Sequence, residues 1–454
     1  MGRRRIGAWN RNPRSAHLAL LVAVTLISGP AILLPTIAAR GAPAATISFE
    51  FWGDPAEAAA YETMVEAFTA LHPEVAVQTE YVPNGDDFYA RLATGYAAGD
   101  APDVFLINYR RYGQFAAAGA LEPIAPYLDQ SAVVAASDYY PAPMAAFTFD
   151  GELMCLPQNL SSLVVYYNRD LFDAAAITYP AADWAWDDFL SAALALSQDT
   201  DGDSKTDQFG IGIEPSLVRV APFIWQAGGE LVDDLDQPTM LTIDTPAARA
   251  GMQFVLDLSL VHQAAPSESD VLVQSLDDRF MAGNIAMLLQ SRRVVPALRQ
   301  AADFTWDVAP LPRHEETAGI LHSDAYCLNA GSESKAAAWT FIEFANGPDG
   351  QAIVAEAGRT VPSLRAIAES PIFLGPNDGV ATGTERDRTD PPASARIFLD
   401  SEPAMRRLPA TATWPEVEQA FNEEFSLAFY GKQSLDEAIA AILDRTAEPL
   451  RRES

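Results

Sequence analysis

From residue 45 to residue 109, short apolar runs of strand length alternate with longer amphipathic stretches of helical period. The runs TISFEFW, VAVQTEYV and PDVFLINY are rich in β-branched and aromatic residues, which is typical of strands. Between them, PAEAAAYETMVEAFTAL repeats its apolar residues at helical spacing and stops before Pro73, and DDFYARLATGYAA ends at Gly99. This β-α-β-α-β order predicts a parallel sheet covered by helices.

A second region with the same alternation begins near Val164. Its predicted strands are LVVYYN, FGIGI and IAMLLQ, and its predicted helices lie in WAWDDFLSAALALSQD, TPAARAGMQFVLDLSLVHQ and SKAAAWTFIEFANG. Two further helices are predicted on either side of Gly431, and the segment 375–392, rich in Gly, Pro and Asp, is typical of a loop. The sequence therefore predicts an α/β fold with two sheet-containing regions.

The first 44 residues have the features of an export signal. MGRRR supplies a positive start, an apolar run follows, and Ala42-Pro43-Ala44 provides small residues for cleavage. An uncleaved membrane anchor is the alternative, because the apolar run is long, although Gly29-Pro30 interrupts it. We therefore expect an exported protein, periplasmic or associated with the cell surface, with residues 1–44 as its signal peptide.

The chain is strongly acidic. Its 454 residues include 61 Asp and Glu against 30 Lys and Arg, and six of those arginines lie in the predicted signal, which has no acid. Such a surface repels nucleic acid and anionic lipid, so we expect neither as a partner. Hydrophobic residues make up 49% of the chain, which is enough for packed cores.

The familiar sequence signatures of catalysis are missing. The sequence has no G-x-S-x-G elbow, no P-loop and no G-x-G-x-x-G after a strand. Its five histidines are not paired at the spacing of metal ligands: His17, His72, His262, His314 and His322. A hydrolase with two carboxylates is an alternative because acids are abundant, yet nothing marks a particular pair.

The stretch DTDGDSKTD, residues 199–207, has the spacing of a calcium loop. Oxygen ligands at alternate positions would be Asp199, Asp201, Asp203, the carbonyl of Lys205, and Asp207. The glycine expected at the sixth position is replaced by serine, and the twelfth position is a glycine that cannot ligate. The sequence therefore supports two interpretations equally, a structural calcium site and a hydrated turn.

Two turns are expected on one edge of the first sheet. Ligands of parallel α/β sheets bind at the carboxyl ends of the strands. Trp52-Gly53-Asp54 follows the first predicted strand and Asn108-Tyr109-Arg110 follows the third. These turns are therefore candidates for ligand contact.

The segment GELMCLPQNLSSLVVYYNRDLFDAAAITYP resembles the extracellular solute-binding proteins of sugar ABC importers, the group that includes maltose-binding and glycerol-3-phosphate-binding proteins. Other stretches resemble landmarks of that family in the same order, among them AGDAPDVFLIN, GALEPIAPYL, DGDSKTDQFGIG, IWQAGGEL, AMLLQSRR, WDVAPLP and GRTVPS. The likeness extends from about residue 46 to residue 445. Similar proteins often carry an aspartate-rich loop where DTDGDSKTD stands.

The resemblance implies a periplasmic-binding-protein-like fold of two lobes, each a mainly parallel sheet flanked by helices, joined by a hinge and closing on a ligand. It places the first lobe at 45–159 with 320–361, and the second at 160–319 with 362–454. Cys155 and Cys327 would both lie on strands of the first lobe, where a disulfide and two separate thiols are equally expected.

A sugar site needs aromatic faces for C–H groups and planar polar groups for hydroxyls. The candidate ligand-binding residues are Trp52, Asp54, Tyr109, Arg110, Gln158, Asn159, Ser161, Trp225, Gly228, Arg292, Arg293 and Arg359. For Trp52 the alternative is packing at the strand end. Relatives usually have a sugar-stacking tryptophan where this chain has Arg293, which favours an anion or simply faces water.

The resemblance implies the substrate-binding component of an ABC importer, a non-catalytic monomer that captures a sugar or oligosaccharide and delivers it to membrane permease subunits. No cofactor is required, and calcium would be structural. A binding protein for an anionic polyol such as glycerol 3-phosphate is the first alternative. A secreted carbohydrate-active enzyme is the second.

Overall fold

The computed structural model describes residues 43–376, 378–380 and 392–453. The strands in chain order are β1 Ala45–Trp52, β2 Val75–Val82, β3 Val104–Asn108, β4 Leu121–Glu122, β5 Thr148–Phe149, β6 Glu152–Leu153, β7 Cys155–Pro157, β8 Val164–Asn168, β9 Phe209–Gly212, β10 Ile285–Gln290, β11 Trp306–Ala309, β12 Gly319–Ile320, β13 Asp324–Asn329 and β14 Met405–Arg406.

The helices in chain order are α1 Pro55–Leu71, α2 Gly85–Ala98, α3 Tyr109–Ala117, α4 Ala125–Leu128, α5 Pro141–Ala146, α6 Arg169–Ala174, α7 Trp186–Ala195, α8 Leu217–Gln226, α9 Pro246–Leu260, α10 Glu268–Val273, α11 Leu276–Met281, α12 Val295–Ala301, α13 Lys335–Asn346, α14 Pro348–Glu356, α15 Arg365–Ala368, α16 Pro371–Leu374, α17 Ile397–Asp400, α18 Trp414–Phe429 and α19 Leu435–Glu453.

The first lobe is built on the sheet β2-β1-β3-β13-β4, with β7 also paired to β13. β1 runs parallel to both β2 and β3, which confirms the order predicted from the sequence. Helix α1 begins where predicted because the Asp54 side chain accepts hydrogen bonds from the first free backbone N–H groups and Pro55 occupies the first turn. Helix α2 ends at Gly99, whose φ of 75° suits glycine.

The second lobe is built on the sheet β11-β8-β10-β9. Only β9 and β10 run parallel, whereas β8 runs antiparallel to both β10 and β11. The expectation of a mainly parallel sheet therefore does not hold in this lobe. β8 and β13 each follow directly after a crossing between the lobes, and each runs antiparallel to its neighbours in the sheet. Parallel neighbours are usually connected by a helix that returns the chain to the starting edge of the sheet, and a strand that enters from the hinge has no such connection.

Three chain segments run side by side between the two sheets and form the hinge. Ser161 and His322 exchange two backbone hydrogen bonds of 2.8 Å, and Leu160 N donates to the carbonyl oxygen of Val361 at 2.8 Å. Asn159 also pairs with Pro362 in an antiparallel bridge. The lobes are thus joined by paired backbone, which can bend while each sheet stays intact.

A disulfide joins Cys155 of β7 to Cys327 of β13, with their Cα atoms 4.5 Å apart. The two cysteines are direct partners in the antiparallel register. The sequence left the pairing open, and the structure resolves it as a bond. It fixes the two first-lobe strands that lead into the hinge.

The predicted signal peptide lies outside the described residues except for its last two, and the predicted loop 375–392 lies mostly outside them. None of the helices within the described ranges combines the length and the apolar character that a membrane span requires. The lobe boundaries given above stay predictions.

Candidate functional site

The end of β1 carries a buried ion-pair cluster. Arg359 donates through Nε to Asp54 Oδ2 at 2.6 Å, and its Nη1 lies 3.0 Å from Glu57 Oε2. The Tyr61 hydroxyl donates to the other Glu57 oxygen at 2.8 Å. Gly53 makes this packing possible, because a Cβ at this position would lie 2.1 Å from Glu57 Oε2. Asp54 and Arg359, which were both predicted from the sequence as ligand-binding residues, therefore form an ion pair with each other.

The two carboxylates of this cluster respond differently to their surroundings. Burial raises the pKa of Glu57 to about 7, although the positive charge of Arg359 opposes the change. For Asp54 burial acts in the same upward direction, but Arg359 and the helix-capping N–H groups outweigh it and lower the pKa. The charge of Arg359 is thus shared between two acids of its own lobe.

Trp52 and Tyr109 occupy different environments at this rim. Trp52 is half-buried, its ring centroid lies 6.0 Å from that of Tyr89, and its Nε1 is enclosed without a hydrogen-bond partner in the described part of the chain. Tyr109 is fully buried, and its hydroxyl accepts a hydrogen bond from Leu408 N at 3.1 Å. Trp52 stays a candidate for ligand contact, whereas Tyr109 is a core residue here.

Arg110, at the start of α3, forms an ion pair with Glu418 of α18 through Nη1 and Oε1. Glu418 is 7% exposed. The sequence singled out Arg110 but not Glu418, because one acid among 61 on an amphipathic helix carries no distinguishing signal. The pair connects a helix of the first lobe to one that also contacts α8 and α9 of the second.

A chain of polar side chains lines the second lobe. Arg219 contacts Glu214 at 3.2 Å and donates to Gln290 Oε1 at 2.9 Å. Gln290 and Arg293 both donate to the carboxylate of Asp277, at 3.1 and 2.8 Å. Arg293, predicted to replace a stacking tryptophan, is therefore paired with an acid.

The two lobes face each other across a cavity of about 420 Å³, within the usual range of small-ligand sites. Asp54, Pro55 and Ala56 line it from the first lobe, and Asp277 and Arg293 line it from the second. Each lobe thus brings an arginine–carboxylate cluster to the same space.

The predicted hinge residues lie between these clusters. Asn159 Nδ2 donates to Asp324 Oδ2 at 3.0 Å, and Asn108 Nδ2 donates to the other Asp324 oxygen at 3.0 Å. Gln158 is buried, and its carbonyl oxygen accepts from Gln351 at 2.6 Å. Asn159 and Gln158 therefore fix the hinge.

His322 was not predicted, yet it lies at the centre of the polar region. Burial lowers the pKa of His322 well below its ordinary value, and the charges of Arg219, Arg110 and Arg293 lower it further. The lowered pKa favours the neutral imidazole. No sequence pattern pointed to His322, because a lone histidine without a neighbouring ligand at metal-binding spacing has no distinguishing signal.

Several enclosed polar atoms of this region have no hydrogen-bond partner among the described residues: Arg110 Nε, Ser161 Oγ, Arg219 Nε, His322 Nε2 and Glu418 Oε2. Leaving such an atom unpaired costs about 1–3 kcal/mol, so native proteins rarely retain one without a purpose. A hydroxyl-rich ligand could satisfy both the donors and the acceptors. None of their residues lines the cavity beside Asp54, so these atoms belong to an enclosed polar region next to the hinge.

A second cavity is lined by Trp225 from the second lobe and by Ala142 and Ala145 from the first. Trp225 is 2% exposed and lines a separate cavity of about 410 Å³ with Leu321 and Arg406, and this cavity shares no lining residue with the one beside Asp54. The Arg406 guanidinium covers the Trp225 ring at 4.8 Å from its centroid. Gly228 follows α8 with a φ of 77°. The structure does not bring Trp225 to the other candidates.

Arg292 is also separated from the cavity beside Asp54. Its side chain is 2% exposed, and its guanidinium carbon lies 4.4 Å from the ring centroid of Phe373 and 5.2 Å from that of Phe398. This arginine packs within the second lobe. Arg292 therefore contributes to the packing of the second-lobe core.

The aspartate-rich loop brings ligand atoms of Asp199, Asp201 and Asp207 within 4.8 Å of one another. Asp203 is not in that group and lies 3.5 Å from the ammonium of Lys205. The carboxylates also accept backbone N–H groups inside the loop, as a hydrated turn would. Calcium binding stays a prediction.

The model of the family described as bacterial extracellular solute-binding protein matches residues 52–352. The ABC substrate-binding protein of Listeria monocytogenes in complex with cycloalternan has a similar structure, with a TM-score of 0.79 and 25% identity over 90% of this chain and 99% of that one. The maltotriose-binding protein of Pyrococcus abyssi is 22% identical over 65% of this chain and 61% of its own length. An sn-glycerol-3-phosphate-binding periplasmic protein of Shigella flexneri is 21% identical over 86% of this chain and 89% of its own length.

Proposed function

The chain belongs to the bacterial extracellular solute-binding protein family, and we propose that its solute is a neutral sugar or oligosaccharide held between the two lobes. The lobes close on the sugar, and the loaded protein delivers it to the membrane permease subunits of an ABC importer. Residues from both lobes and from the hinge contribute to the site.

The observation that carries the proposal is the pairing of every arginine described above around the cleft with acids. The pairs are Arg110 with Glu418, Arg219 with Glu214, Arg293 with Asp277, and Arg359 with Asp54 and Glu57. A phosphate or carboxylate ligand would have to compete with these acids and would be buried beside their charges. Sugar hydroxyls, which donate and accept, can bind paired groups without separating them.

The names of the relatives support a carbohydrate as the ligand, and one of them also supports the alternative of an anionic ligand. Cycloalternan and maltotriose are carbohydrates, whereas sn-glycerol 3-phosphate is an anion. The arginines that favoured an anionic ligand in the sequence were Arg292, Arg293 and Arg359. The last two are paired with acids and the first packs against Phe373 and Phe398, so the neutral ligand is favoured.

We further propose that the protein acts without catalysis, as a monomer, after export. The relatives described above are binding proteins. The buried carboxylates of Glu57 and Glu418 each form an ion pair with an arginine. Incubation with maltotriose should therefore return the sugar unchanged by chromatography.

Isothermal titration calorimetry tests whether the ligand is neutral. The compounds are maltotriose, cycloalternan, erythritol and sn-glycerol 3-phosphate. We expect at least one neutral compound to bind, with an affinity that changes little between 50 and about 500 mM salt, because no net charge is neutralised on binding. Tighter binding of sn-glycerol 3-phosphate than of every neutral compound would overturn the proposal.

A further inference from the structure

A short segment, residues 405–411, contacts both lobes and is called the strap here. Its second half is fixed to α3, the helix that follows β3 of the first sheet. Leu408 N donates a hydrogen bond to the Tyr109 hydroxyl of α3 at 3.1 Å. Ala410 packs so closely on Gly113 of the same helix that a Cβ at this glycine would lie 2.0 Å from the Ala410 carbonyl oxygen. The strap is therefore attached to the first lobe.

The first half of the strap is attached to the second lobe through its side chains. Arg406 forms an ion pair with Glu230, and Arg407 forms one with Asp236. Both acids belong to the connection between α8 and α9 of the second lobe. The Arg406 guanidinium also covers the ring of Trp225, at the end of α8, at 4.8 Å from its centroid. The strap thus connects the two lobes.

This connection lies on the face of the hinge opposite to the cavity beside Asp54. The Arg406 carbonyl oxygen accepts a hydrogen bond from Leu321 N at 2.9 Å, and Leu321 lines the second cavity. The next residue, His322, lies near Arg293, which lines the cavity beside Asp54. Consecutive side chains of an extended segment point to opposite sides, so the two cavities lie on opposite faces of the hinge.

On the face that carries the strap, the lobes border a groove. The second cavity of about 410 Å³ and a neighbouring cavity of about 540 Å³ share Ala145, Leu235 and Arg407 as lining residues. Ala145 follows from the first lobe and Leu235 from the second, while Arg407 belongs to the strap. The strap therefore bridges the lobes beside a space into which neither lobe is packed.

We propose that the strap restrains lobe closure and thereby sets the affinity for the sugar, an inference that rests on the proposed function. Lobes that rotate about a hinge approach each other on one face and separate on the opposite face. Closure on the sugar therefore widens the groove and loosens the attachment of the strap to one of the lobes. Contacts made more fully in the open form lower the apparent affinity, because they lower the population of the closed form. Arg406 and Arg407 are thus positioning residues.

The test removes two charges that hold the strap and compares the result with a matched control. The strap variant combines Glu230→Gln with Asp236→Asn, and both side chains are more than half exposed. The control combines Asp244→Asn with Asp436→Asn, which form ion pairs with Arg249 and are also more than half exposed. Both proteins lose two negative charges, but only the strap variant loses contacts that bridge the lobes.

Titration calorimetry with maltotriose, cycloalternan and erythritol measures the affinity. For the neutral compound that the wild type binds best, the strap variant should bind about two- to thirtyfold more tightly, the range expected for two exposed ion pairs that oppose closure. The control should bind within about twofold of the wild type.

Small-angle scattering without any ligand tests the same inference independently of the sugar. The strap variant should have a smaller radius of gyration than the wild type, because a larger fraction of its molecules is closed. The control should match the wild type. Arg406→Gln combined with Arg407→Gln removes the same ion pairs from the strap side, and it carries both measurements if the first variant does not fold.

The remaining outcomes separate this inference from the proposed function. Affinity of the strap variant equal to or weaker than that of the wild type would overturn the inference and leave the sugar-binding proposal standing. Tighter binding without a smaller ligand-free radius of gyration would show an effect on sugar contacts instead of closure, and would overturn it as well. If the wild type binds no neutral compound, the proposed function fails, and an equal ligand-free radius of gyration would then overturn the role of the strap.

Discussion

Replacement of Arg359 by leucine should destabilise the protein by an amount that depends on pH. Glu57 is 4% exposed and has Arg359 as its cationic partner, so the substitution leaves a buried carboxyl without its counter-ion. Breaking a buried pair in this way typically costs about 3–5 kcal/mol. We expect a value near 3 kcal/mol at pH 7, because Glu57 can avoid part of the cost by taking up a proton.

The pH dependence follows from the pKa of Glu57. In the folded wild type the pKa of Glu57 is about 7, above the ordinary 4.5. The free energy of unfolding therefore falls as the pH rises from 4.5 to 7, because the unfolded chain releases the proton first, and Glu57 has no further effect on stability above pH 7. Without Arg359 the folded pKa lies higher still, so the loss continues above pH 7. The difference between Arg359→Leu and wild type should therefore grow by up to about 1.4 kcal/mol per pH unit.

Urea denaturation of both proteins at pH 6, 7 and 8 measures this difference. In a Glu57→Gln background the growth with pH should vanish, because the titrating group is gone. Arg452→Leu, which breaks the exposed ion pairs of Arg452 with Glu416 and Glu448, should change the free energy of unfolding little at each pH. A cost of Arg359→Leu that is the same at pH 6 and pH 8 would refute the assigned coupling between Arg359 and Glu57.

Three further predictions concern the hinge and the aspartate-rich loop. The folded pKa of His322 is depressed, so the wild type should lose up to about 2 kcal/mol relative to His322→Gln between pH 6.5 and pH 5 in urea denaturation; a constant difference would contradict the neutral imidazole. Joint replacement of Cys155 and Cys327 by alanine should lower the free energy of unfolding by about 2–5 kcal/mol, and equal stability would show that the bond does not constrain the chain. If calcium binds at Asp199 and Asp207, a chelator should lower the melting temperature with little effect on sugar affinity, whereas no change in either would favour the hydrated turn.

The sequence predicted the strands and helices of the first lobe because their signals are local. The apolar spacing of α1, the capping Asp54 and the terminal Gly99 each lie within or next to the element that they define. The direction of β8 and β13 was not predictable in this way, because it depends on how the chain passes through the hinge.

The ligand contacts predicted from the sequence stay predictions. Asp54 and Arg293 line the cavity beside β1, whereas the sequence did not identify Glu57, Asp277 and Glu418 as the acidic partners of Arg359, Arg293 and Arg110. An ion pair such as that of Arg110 with Glu418 joins residues 308 positions apart, and a single sequence does not report which acid meets which arginine. Trp225 was expected at the cleft because a Gly-Gly turn follows it. It lines a cavity together with Ala142 and Ala145 of the first lobe, and Arg406 lies over its ring, so its contact with a ligand stays a prediction.

Small-angle X-ray scattering with and without a saturating neutral sugar tests whether the two lobes close on the ligand. The two lobes are joined by three paired chain segments, so a sugar that both lobes contact should draw them together. We expect a smaller radius of gyration with the neutral sugar and no change with sn-glycerol 3-phosphate at the same concentration. An unchanged radius of gyration at full saturation by the neutral sugar would contradict capture by lobe closure.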